Sequence, residues 1–266
     1  MSHTRFVSLV AAAVVFAAAF APTGVATAQS RPAYELKLDV DLPVLAIAAT
    51  IAIGWGFALE TAAPSCGPEC TRDRLWFLDK PVAGIWSPTW ARISDVTVAT
   101  TFVGAALVLA LSEPLGNAAN DGLVVAEAAV SSIALAIMSN TGVRRPRPFA
   151  YGTEAPLEER LRGNAALSFF SGHTAGAFAT TWATFHTLRR LGRHTAAWIT
   201  LISGLALSSF VGVGRVLAGQ HFPTDVLAGA LVGTSVGFLV PALHGQARVS
   251  IAQDDTSASI VVSGVF

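Results

Sequence analysis

Long stretches of this chain lack the alternation of polar and apolar positions that marks half-buried elements, and run apolar for whole helix lengths instead. After residue 31, six stretches read as helices. They are Leu42–Leu59, Val96–Ser112, Gly122–Val143, one from about Ser171 to the cluster Arg189, Arg190 and Arg193, one from about Thr195 to Gly214, and Val226–Leu243. The first two hold no charge and are just long enough to cross a hydrocarbon core of roughly 30 Å. Ala, Gly, Ser and Thr are frequent in all six, which lets neighbouring backbones approach closely in lipid. The expected fold is all-α, a polytopic membrane bundle of about six helices over residues 29–245. Leu75–Ile93 mixes Trp76, Trp86 and Trp90 with Asp79, Lys80 and Arg92, a composition suited to the membrane interface.

The two ends differ from this bundle. Met1–Arg5 is short and basic, Phe6–Phe20 is apolar, and Ala26-Thr27-Ala28 has the small-x-small form of a cleavage site. Residues 1–28 therefore read as a signal peptide, or as an uncleaved first helix. At the other end, residues 246–266 place apolar residues on both sides of the polar turn Asp254-Asp255-Thr256-Ser257 and suggest a short β-hairpin or an extended tail.

Composition narrows the class. Of 266 residues, 53% are hydrophobic and 13% charged, about half the charge of an ordinary soluble domain. Lys plus Arg and Asp plus Glu both number 17, so no basic excess exists to bind a nucleic-acid backbone. The arginine cluster at 189–193 should stay cytoplasmic, which places the loops after the third and fifth helices outside. A cleaved signal followed by six full crossings would place them inside. Either one stretch stops short or the signal is retained. An integral protein of a bacterial cell envelope, with its chemistry facing the periplasm or exterior, is the expectation. There Cys66 and Cys70 can form a disulfide.

Polar residues gather at three places, each beside a helix end. Asn140-Thr141-Gly142-Val143-Arg144-Arg145-Pro146-Arg147-Pro148 offers guanidinium forks that suit phosphate oxygens, or equally a basic anchor at lipid headgroups. Ser171-Gly172-His173 opens a helix whose free amides favour an anion, and His173 can exchange a proton near neutral pH. Arg215, His221 and Asp225 form the third group. His221 and Asp225 stand one helical turn apart, so the carboxylate could fix the imidazole tautomer.

The order Arg-Pro, Ser-Gly-His, Gly-Arg-x5-His-x3-Asp resembles the three-part signature of the type 2 phosphatidic acid phosphatase superfamily, over roughly residues 96–243. That resemblance implies a membrane phosphatase hydrolysing a lipid phosphate monoester or diphosphate. His221 would be the nucleophile forming a phosphohistidine, Asp225 its orienting carboxylate, and His173 the proton donor. Arg147, Arg215, Ser171 and Gly172 would hold the phosphoryl oxygens, with Asn140 and Arg145 beside them. No cofactor is implied, and no Cys/His/carboxylate cluster at metal-ligand spacing is seen. The implied partners are a lipid phosphate substrate and membrane lipids. Asn140 stands where the family usually has lysine, Phe170 where it has proline, and Gly214 where it has serine. Two alternatives stay open: a phosphotransferase that passes the phosphoryl group to a lipid acceptor and, because the lysine is missing, a non-catalytic lipid-phosphate binder or transporter. Glu127 is expected at the wet end of its helix, and Phe149–Leu167 as a lid or a solvated connector.

Overall fold

The computed structural model describes residues 31–36, 38–61, 66–67, 70–245, 248–254 and 257–263. The expected signal segment lies outside the described residues. Among the described residues seven α-helices follow in order: α1 Leu38–Thr61, α2 Pro88–Ser112, α3 Leu115–Val143, α4 Leu157–Leu161, α5 Gly172–Arg190, α6 His194–Leu217 and α7 Pro223–Leu243. All but α4 are long. Strands β1 (Arg248–Asp254) and β2 (Ser257–Ser263) pair antiparallel as a terminal hairpin. Among the described residues, four helical stretches are long and apolar enough to cross a membrane, beginning at Pro88, Leu115, His194 and Pro223.

Local chemistry sets the helix starts. Ser87 caps α2 by accepting from the Trp90 amide, and Pro88 supplies the first helical position. The interfacial stretch expected at 75–93 therefore ends earlier, because Pro88 already has the fixed φ a helix needs. Ser171 caps α5 in the same way through the Thr174 amide. α3 begins seven residues before the apolar pattern suggested, at Leu115, and ends where Arg144 adopts a left-handed conformation with φ of 49°.

α5 is the central helix and packs against α2, α3, α6 and α7. It is not strongly apolar, yet Thr174, Thr180, Thr181, Thr184 and Thr187 are all buried. Thr180, Thr184 and Thr187 each donate to the carbonyl four residues back, so their hydroxyls need no partner outside the helix. α7 approaches α5 along Gly229, Gly233 and Gly237. A Cβ at these positions would strike the carbonyls of Ser171, Ala175 and Ala179. The absent side chains are what allow two backbones to lie so close.

The six long helices alternate in direction. Tyr34 and Ala33, just before α1, bind Asp121 in the first turns of α3, and Arg190 at the end of α5 lies over the Tyr34 ring. Arg193 donates to the Ser112 carbonyl at the end of α2. At the opposite end, the Cys66–Cys70 disulfide packs on Phe149, and the Cys70 amide donates to Ala150. The residues preceding α1, the arginine cluster and the end of α7 thus share one face. The longer connections α1–α2, α3–α5 and α6–α7 share the other.

Candidate active site

The three polar groups of the sequence meet on the second face. After Arg144 three residues lead into the 3₁₀ turn at Pro148–Tyr151, and the backbone here is held by the other connections. The Arg147 amide donates to Ala165, Phe149 to Gly219 and Ser168 to the Arg145 carbonyl. Gly219 has φ of +70°, and a Cβ there would collide with the Ile85 carbonyl, so this junction of three connections requires glycine.

His221 is 3% exposed. Its Nδ1 lies 2.7 Å from the Ser168 carbonyl oxygen and 3.9 Å from Asp225 Oδ2. A carbonyl can only accept, so Nδ1 carries the proton and Nε2 keeps its lone pair. The carboxylate expected to orient the ring is therefore one step removed. Pro223 starts α7 after His221, so no helical turn joins His221 to Asp225. Asp225, three positions into the helix end, turns back to accept from the Phe222 amide at 2.8 Å. It also accepts from Ser168 Oγ at 2.5 Å and Arg145 Nη1 at 2.5 Å. Burial holds the His221 imidazole far below its ordinary value, at about 3; Arg147 and Arg215 push the same way, against the neighbouring Asp225.

The arginines divide by role. Arg144 is exposed and bonds the Thr141 carbonyl. Arg145, expected among the phosphate ligands, is spent on structure: it joins Asp225 to Asp79, donates to Thr224 Oγ1 at 2.7 Å, and lies over the Phe222 ring. Asp79 also accepts from the amide and hydroxyl of Thr224. Arg147 is held through Nε by the Asn164 carbonyl and through Nη1 by both oxygens of Gln220. Arg215 Nη1 reaches Asp95 Oδ1 at 3.1 Å, and its buried Nε has no hydrogen-bond partner among the described residues. Arg147 and Arg215 act electrostatically on both His173 and His221, which marks all four as neighbours.

His173 Nε2 lies 3.2 Å from the same Asp95 oxygen. The amides of Gly172 and His173 occupy the first turn of α5, where no acceptor inside the helix exists for them. The Ser171 amide is committed to the Asp225 carbonyl, and its hydroxyl accepts from Thr174 Oγ1. Asn140 is buried, and its amide donates to the Ala136 and Phe170 carbonyls. It ties α3 to the Phe170–Ser171 turn instead of offering a donor to a phosphate.

Sequence reasoning missed Ser168, Asp79, Asp95 and Gln220. Asp95 was the legible one: it falls one residue before the charge-free stretch at Val96, and a carboxylate at that depth marks function. The expected absence of a ligand cluster is also corrected elsewhere in the bundle. Asp41, Glu127 and His244 converge, although 86 and 117 residues separate them along the chain. Glu127 is 4% exposed and not at a wet end, because α3 starts three turns earlier. Phe149–Leu167 is structured: 3₁₀ turns at Pro148–Tyr151 and Gly163–Ala166 flank α4.

Comparison with known proteins follows this geometry. The chain is 44% identical over 82 residues to the lipid A 1-phosphatase of Porphyromonas gingivalis, covering 30% of this chain and 17% of that protein. It is 36% identical over 94 residues to the undecaprenyl-diphosphatase BcrC of Bacillus subtilis, covering 35% and 42%. These matches span less than half the length of either relative. Over 145 residues it is 31% identical to the decaprenylphosphoryl-5-phosphoribose phosphatase of Mycobacterium tuberculosis, covering 52% of this chain and 71% of that protein. A solved structure, the PAP2-type phosphatidylglycerolphosphate phosphatase of Bacillus subtilis, aligns with 77% of this chain and 94% of its own, at 21% identity and a TM-score of 0.45. The family model of the PAP2 superfamily matches residues 121–248, the stretch that holds Arg147, His173, Arg215, His221 and Asp225. An integral membrane bundle with these residues gathered on one face is thus a member of the PAP2 superfamily.

Proposed function

We propose that this chain hydrolyses a phosphate monoester or diphosphate borne by a membrane lipid, through a phosphohistidine on His221. The observation that carries this reading is the buried neutral imidazole, held at Nδ1 by the Ser168 carbonyl beside Arg147 and Arg215. Nε2 attacks phosphorus as the bond to the lipid oxygen breaks, and His173 gives that oxygen its proton. Water then attacks phosphorus, the N–P bond breaks, and His173 takes the water proton, which returns His221 to its starting form. The guanidiniums and the first-turn amides of α5 face the charge spread over the phosphoryl oxygens. Asp95, beside both His173 and Arg215, favours the protonated imidazole, against the burial and the Arg215 charge that together hold His173 below its ordinary value.

An amphiphilic substrate follows from the site's place at the ends of apolar helices. The lipid enters from the face opposite the arginine cluster, the exterior face if that cluster is cytoplasmic. Phosphate release from phosphatidic acid, phosphatidylglycerol phosphate, a polyprenyl diphosphate and lipid A phosphate tests the reading. Release in EDTA by the purified protein, lost in His221→Ala of unchanged fold, is expected. Equal release by that variant overturns it, and saturable binding without turnover by the natural protein favours the binder that Asn140 suggests.

A further inference from the structure

A second polar cluster lies at the far end of the bundle, and the chemistry above does not use it. His244 follows the last residue of α7, Asp41 sits in the first turn of α1, and Glu127 lies in α3. Asp225 opens α7, and the 21 residues of that helix separate the two clusters by about 30 Å. His244 Nε2 is 2.9 Å from Asp41 Oδ1 and 3.3 Å from Glu127 Oε2. All three residues are buried.

Two features mark this cluster. His244 Nδ1 lies 2.8 Å from the Val240 carbonyl, an acceptor, so Nδ1 carries a proton and Nε2 is the nitrogen that faces the two carboxylates. Two carboxylate oxygens and a ring nitrogen at this spacing accommodate a cation between them, a metal ion or a second ring proton. A histidine with its outer nitrogen on a backbone carbonyl is also how metal-bound imidazoles are generally held. Independently, Glu127 Oε2 is fully buried and has no hydrogen-bond partner among the described residues, a costly state in the middle of a membrane helix.

We propose that Asp41, Glu127 and His244 bind a Zn2+ ion, with water as the fourth ligand. The donor atoms all lie within 4.8 Å of one another. Bonds of about 2.0–2.1 Å in a tetrahedron place ligands about 3.3 Å apart, close to both histidine distances here. One imidazole and two carboxylates suit Zn2+ better than Mg2+ or Ca2+, which favour oxygen donors alone. The ion would fasten the start of α1 and the end of α7 to α3, and the Tyr34 ring edge covers His244.

The test equilibrates the full-length, detergent-solubilised protein with Zn2+ and measures the metal that survives gel filtration. One equivalent per chain is expected in the natural protein and in His221→Ala, and none in His244→Ala or Glu127→Gln. Co2+ substitution of the natural protein provides a readout that needs no variant, because a four-coordinate N/O site gives visible d–d bands. EDTA should lower the Tm of the natural protein and leave that of Glu127→Gln unchanged. Absence of retained metal and of the Co2+ bands, or equal retention in all variants, overturns the proposal and leaves a proton as the cation.

Discussion

His221 Nδ1 sits 2.7 Å from the carbonyl oxygen of Ser168, while the Asp225 carboxylate is 3.9 Å away. A main-chain atom thus fixes the ring, and the carboxylate fixes that main chain by binding the Ser168 hydroxyl and the Phe222 amide. Ser168→Ala deletes only the hydroxyl. It should cost about 1.5–3 kcal/mol of stability, as for other hydrogen bonds to a charged group, and retain most phosphate release. Asp225→Asn removes one of the two carboxylates that hold Arg145 and leaves Asp79 on the other, so it should cost about 1.5–3 kcal/mol, read as a fall in Tm. Activity lost as fully in Ser168→Ala as in His221→Ala would show that the carbonyl cannot hold the ring without the link from the Ser168 hydroxyl to Asp225.

The low pKa of His221 has a defined sign. Burial favours the neutral ring in the folded protein, with Arg147 and Arg215 adding to it, whereas the unfolded chain titrates near 6.5. Between pH 6.5 and about 3 the unfolded state binds the extra proton, so stability falls as pH drops through that window. The slope from this group is at most about 1.4 kcal/mol per pH unit. Tm measured from pH 7 to pH 4 should therefore decline less in His221→Gln than in the natural protein. Parallel declines would refute the buried neutral imidazole.

Asp95 touches both His173, the proposed proton donor, and Arg215. Asp95→Asn should lower kcat by about 10²-fold on a lipid phosphate, whose alkoxide leaving group needs a proton. On p-nitrophenyl phosphate, whose leaving group needs none, the loss should be small. Equal losses on both substrates would place Asp95 outside the proton transfer.

Gly219→Ala introduces a Cβ against the Ile85 carbonyl at a φ of +70°. Strain of this kind costs about 1–3 kcal/mol before any clash is counted. Because Gly219 also accepts from the Phe149 amide, the variant should lose Tm and phosphate release together. An unchanged Tm would mean that the three connections do not depend on this junction.

The six long helices were legible because apolar runs of helix length have few other uses in a chain with so little charge. α5 was found through Ser171 and the arginine cluster more than through hydropathy, since its threonines satisfy their own hydroxyls and hide its burial. Residues of the three motifs meet because each motif closes a connection on the same face. Hydrogen bonding inside the site was not legible. The His221–Asp225 spacing fits a helical turn, but Pro223 starts the helix two residues too late for that turn to form. Arg145 and Arg147 look alike in sequence, yet Asp79, 66 residues before Arg145, takes the first of them. The cluster of Asp41, Glu127 and His244 leaves no local pattern, because its residues come from the first turn of α1, from α3 and from the position just after α7.

The two faces of the bundle have unequal freedom to change. On one, α2 turns into α3 through Glu113 and Pro114 alone, and α5 into α6 through residues 191–193. Turns this short act as fixed hinges that set the spacing and tilt of the helices they join. On the face that gathers His173 and His221 the α3–α5 connection runs from residue 144 to residue 171, long enough to hold its own small helix. Insertions there meet little entropic resistance, since loop closure grows only slowly with length. A different lipid headgroup can therefore be accommodated by rebuilding one border of the molecule, while the helix frame that aligns His173 with His221 is left undisturbed.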